Sequence, residues 1–454
     1  MSSDQNPTDG LGRRSYLASS AAFTDGSDTP RAFLERCIEV LDAQEERVGA
    51  VVSTNLVEAR KIADDAGDRW KSGKTLSPID GMPIGIKDIM ETHDMPTGQG
   101  SGLFTGWEGK RDCAAVAALR EAGAVIVAKM VTTEFASSHP SPTRNPWDTT
   151  RTPGGSSSGS AAAVGMGMLP AALGSQVIGS IIRPAGYCGA YGFKPSVGGI
   201  NRGGSFDDFS QSCTGVLGAS LADTWTVARA MSLRAGGDPG YPGLSGPINL
   251  PAASKPKHVA FLETAGWATI TDGARRAMDT ARQKLQAADI DVIDKTSSSA
   301  VKSVEAAIAT ARELSMQINA WEGHWPLNTY SRDMDKSKLS TSAVGRLEDA
   351  QKMTQEQYQG LIADREAIRA TYGELKSEAD LCMTLSAPGA APVGLDWTGD
   401  PIFTVPTSLL GVPSVTLPVL EDEGLPLGLQ LIGYVQRDAD LFAATGAVDS
   451  LFGS

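Results

Sequence analysis

The stretch Thr152–Met168, TPGGSSSGSAAAVGMGM, decides how the rest of the chain is read. Seven consecutive positions, Gly154 to Ser160, hold only glycine and serine. Such a run suits a flexible linker, a phosphate cradle or a catalytic loop. The next residues disfavour the linker reading, since Ala161–Val164 are apolar helix formers and Ser158 fits the cap of a helix starting there. A P-loop needs GK[ST] at its end, whereas Gly159 leads into Ser160 and three alanines with no lysine, and no G-x-G-x-x-G is present there. A serine-rich turn entering a helix remains.

The surroundings set limits on function. The chain has 454 residues, 41% hydrophobic and 20% charged, with 40 basic against 53 acidic residues and a net charge of -13. That balance repels phosphate backbones and anionic lipid, so neither nucleic acid nor membrane is an expected partner. No apolar run reaches membrane-helix length. The five cysteines, Cys37, Cys113, Cys188, Cys213 and Cys382, are odd in number and never form CxxC, which argues against a disulfide framework or a zinc site and for a reducing cytoplasm. Arg13 and Arg14 precede a short apolar segment in the manner of a twin-arginine export signal, but that segment is at the lower limit for a signal core and no cleavage site stands out.

Along the chain, residues 1–28 are polar and rich in Gly, Ser and Asp, and read as a flexible N-terminal arm. From Thr29 the pattern becomes helical: Phe33, Leu34, Cys37, Ile38 and Leu41 share one face, with Pro30 in the first turn. A helix around LVEARKIADDAGDRWKSG, a strand in PIDGMPIGIKDIM and a helix–turn–strand in CAAVAALREAGAVIVAKM come next. The alternation recurs at HVAFLETAGW, near 272–288 and at DIDVID, which marks an α/β chain. Residues from about 300 to 380 read as helical, and the last part, FTVPTSLLGVPSVTLPVL to GLPLGLQLIG, as strand-like. No linker splits the chain, so 29–454 is expected to be a single domain.

Four histidines, His93, His139, His258 and His324, include no HExxH, and Ser157 and Ser158 lack a G-x-S-x-G elbow. A serine without histidine can use a neutral lysine as its base. Lys87 stands in the apolar GMPIGIKDIM, either as such a base or as a solvated lysine of an edge strand. Alternation along that strand sends Asp88 to the opposite side. In ALGSQVIGSIIRPAGYCG, a strand ending in Gly174 is followed by a turn through Val177, Ile178, Gly179 and Ser180. Successive N–H groups in such a turn can converge as an oxyanion hole, with Ser180 at the focus.

GMPIGIKD, NPWDTTRTPGGSSSGSAAA, GSQVIGSIIRPAGYCGAYGFKPS and GVPSVTLPVLEDEGLPLGLQLIG together resemble the amidase signature family, over residues from about 30 to 450. The motifs stand in the family's order, with Ser156 and Ser180 24 residues apart and Lys87 ahead of both. The resemblance implies a three-layer α/β fold with a central mixed sheet covered by helices. It also implies a catalytic triad of Lys87 as base, Ser156 as bridging serine on a cis Gly155–Ser156 peptide, and Ser180 as nucleophile. The oxyanion amides would be those of Val177, Ile178, Gly179 and Ser180. SQVIGS departs from the Thr-Asp or Thr-Gln-Thr and Gly-Gly of many relatives, which leaves the support from Ser175 and Gln176 open.

Arg183 fits either a substrate carboxylate or a structural ion pair with an acid such as Asp148. Cys188 reads as a buried small hydrophobe. Trp321 and Trp325, with Tyr330, fit either the wall of an acyl or aryl pocket in the 300–380 region or helix packing. The expected activity is hydrolysis of a linear carboxylic amide through a covalent acyl-serine, with no metal or organic cofactor. The alternatives are hydrolysis of a carbamate (urethane), urea-derived or ester bond by the same triad, and an ammonia-generating subunit of a tRNA amidotransferase, against which the acidic balance weighs. The expected partners are a small-molecule amide or carbamate and, at most, a second copy of the chain in a homodimer.

Overall fold

The computed structural model describes residues 12–453. One mixed sheet runs through it, built from β1 (Val51–Thr54), β2 (Pro83–Lys87), β3 (Val125–Met130), β4 (Ala171–Gln176), β5 (Tyr191–Lys194), β6 (Cys213–Gly218), β7 (His258–Phe261), β8 (Asp291–Ile293), β9 (Leu381–Leu385), β10 (Ser414–Asp422) and β11 (Leu425–Ile432). Their spatial order is β1-β3-β2-β4-β6-β5-β10-β11-β9-β7-β8. The pairs β2–β3, β2–β4, β7–β8 and β7–β9 are parallel and the rest antiparallel.

Helices cover both faces, and strand alternation shows how. Ile84, Ile86, Ile126, Leu173, Val216, Val259, Met383, Leu429 and Leu431 point into one large cluster with the helices Ala114–Glu121, Leu221–Ala235 and Asp272–Ala287. Their neighbours Val125, Val127, Ala172 and Leu217 face the opposite way, into a second cluster with Pro30–Val48 and Ser158–Gly165. Farther along that same face, Ala260, Cys382 and Ile432 meet a third cluster with the helices Ser299–Ile308, Ala311–Asp333 and Gln355–Glu374. The result is the expected three-layer α/β architecture. Each fully buried aliphatic side chain in these layers contributes about 1.5–3 kcal/mol.

The expected helices at Pro30 and Asp272 are present, and the Thr29 hydroxyl accepts from Ala32 N at 3.0 Å as an N-cap. Two readings are corrected. The helix after the Gly/Ser run starts with Ser158 inside it and Ser157 at its cap. Val405–Leu410, read as strand-like, is helical, because Pro406 in its first turn presets a helical φ.

The flexible-arm reading is corrected for residues 12–28; residues 1–11 lie outside the described residues. Tyr16 and Phe23 are buried against Phe33, with ring centroids 5.1 and 6.2 Å away, and Ser20–Asp25 is helical. Arg13 donates to Gly189 O at 2.7 Å and Ala219 O at 3.1 Å. Two aromatic anchors and one arginine thus outweigh the polar composition around them.

Candidate active site

The Gly/Ser run is interior, with Thr152 to Pro170 buried throughout. Gly159 has no room for a larger residue: an added Cβ would lie 2.1 Å from Ala50 O and 2.6 Å from Val131 N. The Gly155–Ser156 peptide is cis. Ser157 ties the run to the strand beside it, accepting from Ser175 N through its hydroxyl at 3.3 Å, while its own N–H donates to Ser180 O at 3.3 Å. The loop of Ser156 and the loop of Ser180 are therefore locked together.

Lys87 ends β2, which is flanked by β3 and β4 and so lies inside the sheet and not at its edge. Its side chain is fully buried, with Nζ 2.7 Å from Ser156 Oγ and 2.8 Å from Ser175 Oγ. Burial pulls its pKa from 10.5 down to about 7, opposed by the charge of Asp207. Asp88 takes the expected opposite side, with Oδ1 3.1 Å from Lys129 Nζ. The solvated edge-strand alternative for Lys87 is thereby removed.

Val177 to Ser180 form the turn after β4, and Ser180 is 5% exposed. Among the described residues, the N–H groups of these four positions donate to no protein acceptor. Gln176 arranges this by accepting from Ile181 N at 2.9 Å and Ile182 N at 3.0 Å, while Gln211 Nε2 donates to Val177 O at 3.1 Å. Four unspent N–H groups in one partly buried turn are available to an acceptor from outside the chain. At Gly179 an added Cβ would come within 2.3 Å of Thr404 Oγ1 and 3.1 Å of Arg183 Nη1.

Arg183 makes no ion pair with Asp148, which pairs with Arg151 at 3.1 Å. Its Nη2 donates to Gly155 O at 2.7 Å and Thr398 Oγ1 at 3.1 Å, and burial lowers its pKa to about 10. It thus grips the peptide that carries Ser156. Trp321 stacks on Tyr358 at 5.5 Å, while Trp325 is 65% exposed and Tyr330 packs on Phe104 and Phe135. The ring contacts of Trp321 stay within the helical region, and Trp325 has none among the described residues. Cys188 is fully buried, its thiol raised by desolvation.

His93 and His139 are exposed. His93, Asp94 and Asp112 form a group that could offer ligand atoms to a metal, but Arg120 already bridges Asp94 at 2.7 Å and Asp112 at 3.0 Å. Ser175 on Lys87 and Gln176 at the turn lie in the GSQVIGS motif, where their support was open, while Gln211 at the turn and Asp207 near Lys87 carry no motif.

The chain belongs to the Amidase family, whose profile matches residues 32–442. It is 30% identical to a glutamyl-tRNA(Gln) amidotransferase subunit of Chloroflexus aggregans, with 94% of each chain covered. A crystal structure of an amidase is 26% identical with a TM-score of 0.82, covering 96% of this chain and 99% of that one. A chain from a complex bearing on the origins of an s-triazine catabolic enzyme is 25% identical with a TM-score of 0.84, covering 97% of this chain and 99% of that one.

Proposed function

We propose that this family member hydrolyses a linear carboxylic amide through Lys87, Ser156 and Ser180. The observation that carries the reading is the lysine itself: wholly buried, hydrogen-bonded to two serine hydroxyls, and with a pKa lowered to about 7. A neutral amine at that position takes a proton from Ser156, which takes one from Ser180 as Ser180 Oγ attacks the carbonyl. The free N–H groups of Val177 to Ser180 receive the oxyanion. Collapse breaks the C–N bond, and the proton returns through Ser156 to the departing amine. Water then cleaves the acyl-serine by the same relay, with no cofactor entering any step.

Carbamate, urea-derived and ester bonds present the same carbonyl to the same groups and form the alternative substrate class. The ammonia-generating reading is supported by the name of the curated relatives and opposed by the acidic charge of the chain. A reducing cytoplasm suits the five buried free thiols. The test is to purify the chain alone and assay an aryl anilide, an aryl carbamate and glutamine, with fluorophosphonate labelling and peptide mapping. Anilide cleavage with the label on Ser180 is expected. Turnover of glutamine alone would replace this reading with the amidotransferase one, and label on Ser156 or Cys188 would overturn the assignment of roles.

A further inference from the structure

The segment Ser205–Ser212 packs beside the turn of Ser180 and is fixed from three directions. Arg202 Nη1 donates to the backbone carbonyls of Asp207 at 3.0 Å and Phe209 at 2.8 Å. Glu322 accepts from Ser210 N at 2.8 Å. Gln211 Nε2 reaches Val177 O, on the turn itself. Asp207 is thus held rigidly and is only 3% exposed. Yet among the described residues its carboxylate has no hydrogen-bond or ion-pair partner, and neither oxygen is sealed from solvent.

The charge of Arg202 faces Asp207, but no neighbouring cation gives its carboxylate a hydrogen bond among the described residues. Arg202 is committed to Asp238, through Nε at 2.7 Å and its backbone N–H at 2.8 Å. Lys87, on whose charge Asp207 acts, spends its hydrogen bonds on Ser156 and Ser175. Asp208 adds a second carboxyl beside the first, raised by burial and by Asp207, and Cys213 stands on the far side as a thiol. A rigid, nearly buried carboxylate with no hydrogen-bond donor is costly unless something that arrives with the substrate donates to it.

We infer that the substrate carries a primary ammonium group that pairs with Asp207 beside the reacting carbonyl. The inference rests on the amide-hydrolase reading above and narrows it to amides of amino-bearing acids or of diamines. Asp207 fixes which amide is held, and Lys87 with the two serines cleaves it. A cation at Asp207 also offsets the pull of that carboxylate on the charge of Lys87, so the matching substrate favours the neutral base that it needs.

The test uses matched substrates: straight-chain acyl para-nitroanilides, each compared with the analogue whose terminal methyl is replaced by ammonium, and a second set with the ammonium on the amine side. In the wild type, at least one ammonium substrate should exceed its methyl partner by about tenfold or more in kcat/KM. Asp207→Asn should collapse that ratio to near unity, and Asp207→Glu should restore a preference at a different chain length. Independently of any variant, an alkylammonium ion should inhibit the wild type competitively where the isosteric alcohol does not. Turnover of neutral amides with ratios near unity throughout, or a ratio unchanged by Asp207→Asn, would overturn this inference and leave the amidase reading standing. Failure to cleave any amide of either kind would remove both.

Discussion

Lys87 and Lys129 stand on adjacent parallel strands, β2 and β3, both wholly buried, and among the described residues only Lys129 forms an ion pair with a carboxylate. Lys129 Nζ lies 3.1 Å from Asp88 Oδ1 and also donates to Met90 O at 2.8 Å and Thr97 Oγ1 at 2.7 Å. Lys87 meets two hydroxyls instead. Both lysines are driven toward neutrality by desolvation, but the Asp88 carboxylate opposes it directly at Lys129. The same residue type in the same sheet thus stands in two settings, a buried ion pair at Lys129 and two hydroxyls at Lys87, and the proposed function uses the second for proton transfer.

The proton-transfer task predicts a pH profile. A base titrating near 7 makes activity rise through about pH 7 and level off on the alkaline side. Lys87→Ala should lower kcat by about 100- to 10,000-fold and abolish that inflection. Steady-state rates measured from acid to alkaline buffer check both statements. An unchanged profile in Lys87→Ala would place the base elsewhere.

The same burial has a cost in stability with a defined sign. Between pH 7 and 10.5 the unfolded chain holds a proton on Lys87 that the folded chain has lost, so the stability of the wild type rises with pH across that window. Lys87→Met removes this dependence. Its stability relative to the wild type should be greatest below about pH 7 and should decline by up to about 4 kcal/mol toward pH 10. Denaturant titrations at three pH values would read this out, and a constant difference would contradict it.

Ser180→Ala should eliminate fluorophosphonate labelling and acyl-enzyme formation while changing unfolding free energy by less than about 1 kcal/mol. Intact mass after incubation with substrate checks the first, and thermal melts the second.

The ion pair on the other side of β2 is expected to behave as a buried pair. Lys129→Met leaves the Asp88 carboxylate with only Gly98 N, at 3.0 Å, as a direct partner among the described residues, and should destabilise the fold by about 3–5 kcal/mol. The double variant Asp88→Asn/Lys129→Met should recover much of that loss. Equal stability of the single and double variants in chemical denaturation would show that the two charges do not act as a pair.

Arg183→Met should slow fluorophosphonate labelling by about tenfold or more, because Gly155 O and Thr398 Oγ1 lose their donor and the peptide bearing Ser156 loses its anchor. Arg183→Lys should restore part of the rate, since one ammonium can reach one of the two acceptors but lacks the fork. A raised KM for acidic substrates with labelling unchanged would instead mark Arg183 as a carboxylate binder.

Where local chemistry dictated the outcome, the sequence was readable. The isoleucines around Lys87 announced a buried strand, and the Gly/Ser run with alanines directly after it announced a turn into a helix. Partners set by tertiary geometry were hidden. Of the two expectations for Arg183, a substrate carboxylate or Asp148, the ion pair with Asp148 is absent, and its Nη2 reaches the Gly155 carbonyl, an acceptor that every residue possesses, and Thr398 Oγ1. Asp207 lies in a segment of no regular period, and its relation to Lys87 exists only once β2 and the 205–212 segment come together. Tyr16 and Phe23 were masked by the serines and aspartates around them, though two aromatic rings suffice to anchor a short helix.

The buried thiols give the chain a built-in reporter. Cys37, Cys113, Cys188, Cys213 and Cys382 are all free and buried, and desolvation raises the pKa of each, to about 12 for Cys37 and Cys382 and about 11 for Cys113. Both features suppress the thiolate that alkylating reagents attack. They are also dispersed: Cys37 on the helix Pro30–Val48, Cys113 before Ala114–Glu121, Cys188 at the end of the helix after Ser180, Cys213 on β6 and Cys382 on β9. Pulsed alkylation read by mass would therefore timestamp which layer of the molecule opens first under heat or denaturant, with no engineered probe and no change to the serine chemistry.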